Sequence, residues 1–265
     1  MNYQIRSVLS SVAQKPLLVL IAALVLTACR SHYELKGVER TRIVIDSRFD
    51  RPSDAAAATF LAPYKHEVDS VMGPLMGRVA HNMAAERPES DLSNLLSDIL
   101  LWAAPQYGEH PVLAIYNMGG IRAELTKGDV TYGDVLDVAP FENKIAFTTL
   151  TGEQLLKLFR QIALRGGEGV SRGCQLVITP KGDLLSAKLN GQDIDPQADY
   201  RVTTIDYLLG GNDGMKALSE GHDVSAPQES RNNTRFIIMD YFKHKSAQGE
   251  VVDAKVEGRI IVKSE

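Results

Sequence analysis

The sequence predicts an α+β fold in which a mixed sheet is flanked by helices. Three observations carry this. The stretch "SDLSNLLSDILLWAA" (90–104) places apolar residues at helical spacing. Residues 112–166 switch between short apolar runs typical of buried strands and longer amphipathic ones typical of helices. Residues 174–206 read as sheet, reversed at Lys181-Gly182-Asp183 and again at Asn190-Gly191. Helices and hairpins mix rather than alternate strictly, which separates the pattern from a doubly wound parallel sheet.

At the amino terminus, Arg6 and Lys15 are the only charges before Cys29. Between Lys15 and that cysteine runs "PLLVLIAALVLTA", too short to span a bilayer but suited to the core of a signal peptide. It ends in "LTAC", which resembles a bacterial lipobox. The resemblance implies that residues 1–28 are removed and that Cys29 is lipidated. The chain would then be exported and held at a membrane as a periplasmic or outer-membrane lipoprotein. Cys174 is the only other cysteine, so no intrachain disulfide is expected.

Residues 29–50 are polar and read as a tether, with one strand predicted at "RIVID" (42–46). No repeat or low-complexity linker divides the remainder, so residues 51–265 are expected to form one domain. The chain carries 29 Lys and Arg against 33 Asp and Glu, a formal net charge of −4, and loss of the signal peptide would make it more acidic. That balance argues against nucleic acid as a partner, because phosphate-backbone binding needs a basic face.

Within the domain, residues 54–86 predict two helical pieces with a strand or turn between them, broken at Pro63 and at Gly73-Pro74. The helix from Ser90 is capped by Ser90 or Asp91. "VLAIYN" is a buried strand, "TYGDVLDVA" a short helix capped by Thr131, "KIAFTTL" a strand, and "GEQLLKLFRQIALRGG" an amphipathic helix closed by Gly166. "SRNNTRFIIMDYFKHK" predicts a late helix and "VEGRIIVK" a closing strand.

Three polar, glycine-rich segments follow apolar ones: "YNMGGIR", "VAPFENK" and "TIDYLLGGNDGM". In the first, Gly119 and Gly120 lack the Cβ atoms that keep a backbone away from a ligand, and Arg122 offers a planar fork of donors. Each feature also has a plain structural reading. The first segment is equally a tight turn with a solvated arginine, Phe141 a core aromatic, Tyr207 a packed ring with its hydroxyl satisfied, and "GGNDG" a bare turn.

Together with "RPESDLSNLLSD" upstream, the order and spacing of these segments resemble the C-terminal, substrate-binding domain of the 5'-nucleotidase family over roughly residues 70–261. In that family a first domain, a metallophosphoesterase, holds two divalent metals and hydrolyses the ester, while the second holds the nucleoside. The resemblance implies that Asn117 and Arg122 contact base and sugar or phosphate. It implies that Phe141 and Tyr207 clamp the base and that Asp213 accepts ribose hydroxyls. Gly119, Gly120 and Asn143 belong to the same motifs. Ser171 and Gly173 look like the family's small-residue loop beside the base.

The physics agrees, since stacking between two rings contributes about 1–3 kcal/mol per base without choosing which base is held. A carboxylate accepts two hydrogen bonds from vicinal hydroxyls, whereas arginine only donates. The sequence departs from the family at Met118 and Asn212, where glycine is frequent, at Tyr207, where phenylalanine is usual, and at Pro88, where an arginine is expected. Arg87 stands one position earlier.

The six histidines (His32, His66, His81, His110, His222 and His244) are scattered, and the family's metal-binding motifs are not found. G-x-S-x-G, P-loop and cysteine–histidine signatures are also missing. The chain is therefore expected to bind without cutting and to need no cofactor of its own. Divalent metals are expected in a separately encoded metallophosphoesterase partner. The alternative is a free-standing nucleoside- or nucleotide-binding lipoprotein.

Overall fold

The computed structural model describes residues 33–49 and 54–264. The signal peptide and Cys29 lie outside the described residues. The chain divides into two compact units, Met1–Ala55 and Ala56–Glu265. In the first, residues 33–46 have no regular structure and a short 3₁₀ turn covers Ser47–Phe49. The strand predicted over 42–46 is not formed. A strand needs a neighbour to complete its ladder, and Ile43, Val44 and Ile45 are exposed without one among the described residues.

Helix α1 (Ala55–Met72), which belongs to the larger unit from its second residue on, buries none of its side chains. Pro63 sits inside it, so the break predicted there does not occur. Proline removes one helical hydrogen bond, and the break comes instead at Gly73-Pro74, ahead of strand β1 (Leu75–Val79). Helix α2 (Asp91–Ala103) opens with a reciprocal capping box between Ser90 and Ser93. Strand β2 (Leu113–Tyr116) is buried at every position. Strand β3 (Gly128–Thr131) pairs antiparallel with β1 and leads into helix α3 (Tyr132–Val138), capped by Thr131 and Asp134.

Strand β4 (Ile145–Thr151) is followed by helix α4 (Gly152–Leu164). A Schellman arrangement ends α4, with Gly167 N–H on Ile162 O and Gly166 N–H on Ala163 O, and Gly166 adopts the left-handed φ of +76° that this cap requires. Then come β5 (Gly169–Val170), β6 (Cys174–Ile178), β7 (Leu184–Leu189), β8 (Gln192–Asp193) and β9 (Asp199–Ile205). A short helix α5 (Asp206–Leu209), strand β10 (His222–Ser225), helix α6 (Thr234–Ala247) and strand β11 (Ile260–Val262) complete the unit.

The predicted α+β class is correct: a five-stranded mixed sheet of order β10-β4-β9-β2-β5 stands beside a four-stranded one of order β11-β6-β7-β8. Helix α2 packs on β2, β5 and β9, and α4 packs on β4 and β9. The buried rings of Phe147, Phe159 and Phe242 fill the core with the aliphatic residues of these elements.

Register decides where function sits. Strands β2 and β9 run parallel, with Leu113 beside Val202. Strand β4 runs antiparallel to β9, with Ile145 beside Ile205, and β5 runs antiparallel to β2, with Gly169 beside Tyr116. The segments after β2 and β9 and those before β4 and β5 therefore emerge at one end of the sheet.

Candidate functional site

At that end, Asn117, Gly119, Gly120, Phe141, Asn143, Tyr207 and Asp213 line one open cleft of about 200 Å³. Seven of the eight substrate-binding positions predicted from sequence are thus neighbours. The eighth, Arg122, is not part of the lining. It stands exposed just beyond the glycines, its Nη1 donating a long 3.4 Å hydrogen bond to Gly119 O.

The polar wall is built on one side chain pair. Asn117, 3% exposed, donates from Nδ2 to Asp213 Oδ2 at 2.7 Å. A carboxylate only accepts, so the amide nitrogen must face it. Asn117 Oδ1 is left buried with no hydrogen-bond partner among the described residues. The turn after Asn117 leaves no room for a side chain at its end: a Cβ on Gly120 would lie 2.6 Å from Asn117 Oδ1.

Asp213 itself has a left-handed φ of +53°, within a turn bounded by Gly211 and Gly214. Its other oxygen accepts from Tyr207 Oη at 3.3 Å. Partial desolvation and the adjoining Asp213 carboxylate raise the Tyr207 pKa above the ordinary phenol value, so the hydroxyl stays protonated and donates. Both rings of the cleft are accessible: Phe141 is 47% exposed and Tyr207 40%. Asp206 holds the aromatic segments together, its Oδ1 accepting from Lys144 N–H at 3.1 Å and from Tyr207 N–H at 2.8 Å.

Residues 71–220 match the family model described as 5'-nucleotidase, C-terminal domain. The chain belongs to this family. A cell wall protein of Listeria monocytogenes is 28% identical over 199 residues, which cover 69% of this chain and 25% of that protein. The trifunctional nucleotide phosphoesterase of Bacillus subtilis is 29% identical over 223 residues, 76% of this chain and 14% of its own. Among solved structures, the 5'-nucleotidase precursor of Thermus thermophilus superposes with a TM-score of 0.68 at 28% identity, covering 81% of this chain and 44% of that one. The chain thus spans less than half the length of these relatives.

In this 5'-nucleotidase C-terminal domain the small-residue loop at Ser171 and Gly173 departs from its sequence reading. Ser171, expected beside the base, is fully buried under β2, where its Oγ accepts from Ala114 N–H at 2.9 Å. Gly173 lies against Asn190 at the start of β6. Neither lines the cleft, because pairing with β2 turns this segment inward.

Sequence reasoning also missed Glu168 and Arg165. Glu168 is 1% exposed; its Oε2 accepts from Met118 N–H at 2.6 Å, and its Oε1 accepts from Arg165 Nε and Arg87 Nη2, both at 2.5 Å. Arg87 therefore reaches the back of the site rather than the cleft. The one available signal was an acidic residue set among Gly166, Gly167 and Gly169, where close packing leaves no solvent to hold its charge. Among the described residues no three His, Cys, Asp or Glu side chains converge as they would around a metal ion.

Proposed function

We propose that this domain is the substrate-recognition component of a split 5'-nucleotidase, binding the nucleoside part of a nucleotide while a separately encoded metallophosphoesterase supplies the two metals and the hydrolysis. The observation that carries the reading is the convergence of two accessible rings, a buried unpaired acceptor and a carboxylate in one cleft. The cleft is smaller than the roughly 300–1,000 Å³ of sites that enclose a whole ligand, so it suits a base with the sugar and phosphate extending outward. Phe141 and Tyr207 would hold the base faces, Asn117 Oδ1 would accept from a base or sugar donor, and Asp213 would accept from ribose hydroxyls. Arg122 at the rim suits the phosphate. The anchor on Cys29 would place this chemistry at a membrane outside the cytoplasm, alongside the partner enzyme.

The test is reconstitution. The full chain is mixed with a separately encoded metallophosphoesterase of the same organism, and phosphate release from nucleoside monophosphates is followed with divalent metal. Release well above that of the partner alone supports the proposal. No gain, with tight nucleoside binding by this chain in isolation, would instead make it a free-standing binder.

A further inference from the structure

We propose that Glu168 is the positioning residue of the cleft, fixing the Asn117–Gly120 turn through Met118 and holding Arg165 as the counter-charge of Asp213. The inference deepens the function proposed above and rests on it only for the identity of the ligand. Its basis is a four-charge cluster behind the lining residues.

Burial makes a lone carboxylate untenable, and Glu168 meets the cost with three donors. Met118 N–H belongs to the turn that carries Asn117, Gly119 and Gly120. Arg87 reaches Glu168 from the segment before α2 and also donates from Nε to Gly167 O at 2.8 Å. Arg165, at the end of α4, binds Glu168 through Nε and points Nη2 toward Asp213 Oδ1 at 3.9 Å. Loop 166–169 is seated closely enough that a Cβ on Gly167 would lie 2.2 Å from Pro88 O, so Glu168 has little freedom to follow a moving partner.

The two arginines exceed Glu168 by one formal positive charge, and Arg165 turns toward the Asp213 carboxyl as the fourth member of the cluster. The groups facing Asp213 are Asn117 and Gly119 on the turn, Tyr207 on α5 and Arg165 on α4; Arg122 stands beside the turn, and Glu168 and Arg87 lie behind Arg165. One buried carboxylate thereby sets both the amide end and the acid end of the ligand wall.

The two roles separate in the variants Glu168→Gln and Arg165→Met of the full chain. Amide NMR is recorded without ligand, and adenosine binding is measured by calorimetry. Glu168→Gln removes the charged acceptor of Met118 N–H and should shift the Met118 backbone amide together with the Asn117 side-chain amide. Arg165→Met removes the cation beside Asp213 and should shift the Asn117 side-chain amide more than the Met118 amide, and both variants should weaken adenosine binding by about tenfold. A Glu168 that only packs would leave the Asn117 side-chain amide unmoved in both variants.

Met118 and Asn117 amide signals that stay put in Glu168→Gln overturn the proposal, with melting curves showing that each variant is folded. If wild-type chain does not bind adenosine while these signals still move, the positioning role stands and the nucleoside reading of the cleft fails.

Discussion

Truncating Phe141 to alanine isolates the stacking term. The ring is 47% exposed, so about half of its burial energy is at stake in folding, roughly 1 kcal/mol. For a domain of this size that lowers the melting temperature by only about 2–4 °C. The loss in binding should be larger. A ring face against a base contributes about 1–3 kcal/mol, so the dissociation constant for a nucleoside should rise about 5- to 150-fold.

Tyr207→Ala should lose a similar amount plus the hydroxyl bond to Asp213. Tyr207→Phe keeps the ring and loses only that bond, a loss of about 2- to 10-fold. Calorimetry with a panel of purine and pyrimidine nucleosides reads all three, and the order Phe < Ala at position 207 is part of the expectation. Nucleoside binding within twofold of wild type in both alanine variants would refute stacking in this cleft.

Three further outcomes follow from the packing of the domain. Gly120→Ala drives a methyl group to 2.6 Å from Asn117 Oδ1 and must swing that side chain off Asp213; binding should fall about tenfold or more, with circular dichroism unchanged, and wild-type affinity would contradict the geometry. Arg259 is 4% exposed and joins Asp98, Glu257 and Val170 O at the foot of β11, so Arg259→Met should cost about 3–5 kcal/mol in urea unfolding; a loss below about 1 kcal/mol would show the network to be slack. Burial pushes the Tyr116 phenol up to about 12 against an opposing bond from Thr234, and the Cys174 thiol up to about 12 against the charge of Arg259. Both are neutral in the fold while the unfolded groups ionise earlier, so stability is intact below about pH 8 and is lost as pH rises toward 12, by about 1.4 kcal/mol per unit for each group in its own window; urea midpoints that stay flat to pH 11 would contradict this.

Local chemistry made much of the fold legible. The caps at Ser90 and Thr131, the glycine closure of α4 and the reversals at residues 181–183 and 190–191 depend on neighbours within a few positions, so the sequence states them outright. "RIVID" has a strand's composition but no partner for its ladder, and composition alone does not supply one. Pro63 stays inside its helix because one missing hydrogen bond does not end an otherwise complete ladder.

At the site, the lining residues were readable because each sits in a polar or glycine-rich segment after an apolar one. The cluster behind them was not. Glu168 meets Arg87 across 81 positions and Met118 across 50, and only the pairing of β5 with β2 brings them together. Ser171 failed for the same reason in reverse: a small polar residue suits a ligand loop or a strand contact equally well, and register chose the contact.

The account turns on whether a nucleoside occupies the space between Phe141, Tyr207, Asn117 and Asp213. Amide NMR of the isotopically labelled full chain, titrated with adenosine, addresses this most directly. The account predicts saturable shifts at the Asn117 side-chain amide and at the backbone amides of Gly119, Gly120 and Asp213, with residues on β7 and β8 unmoved. Saturable shifts confined to another face of the domain would contradict it.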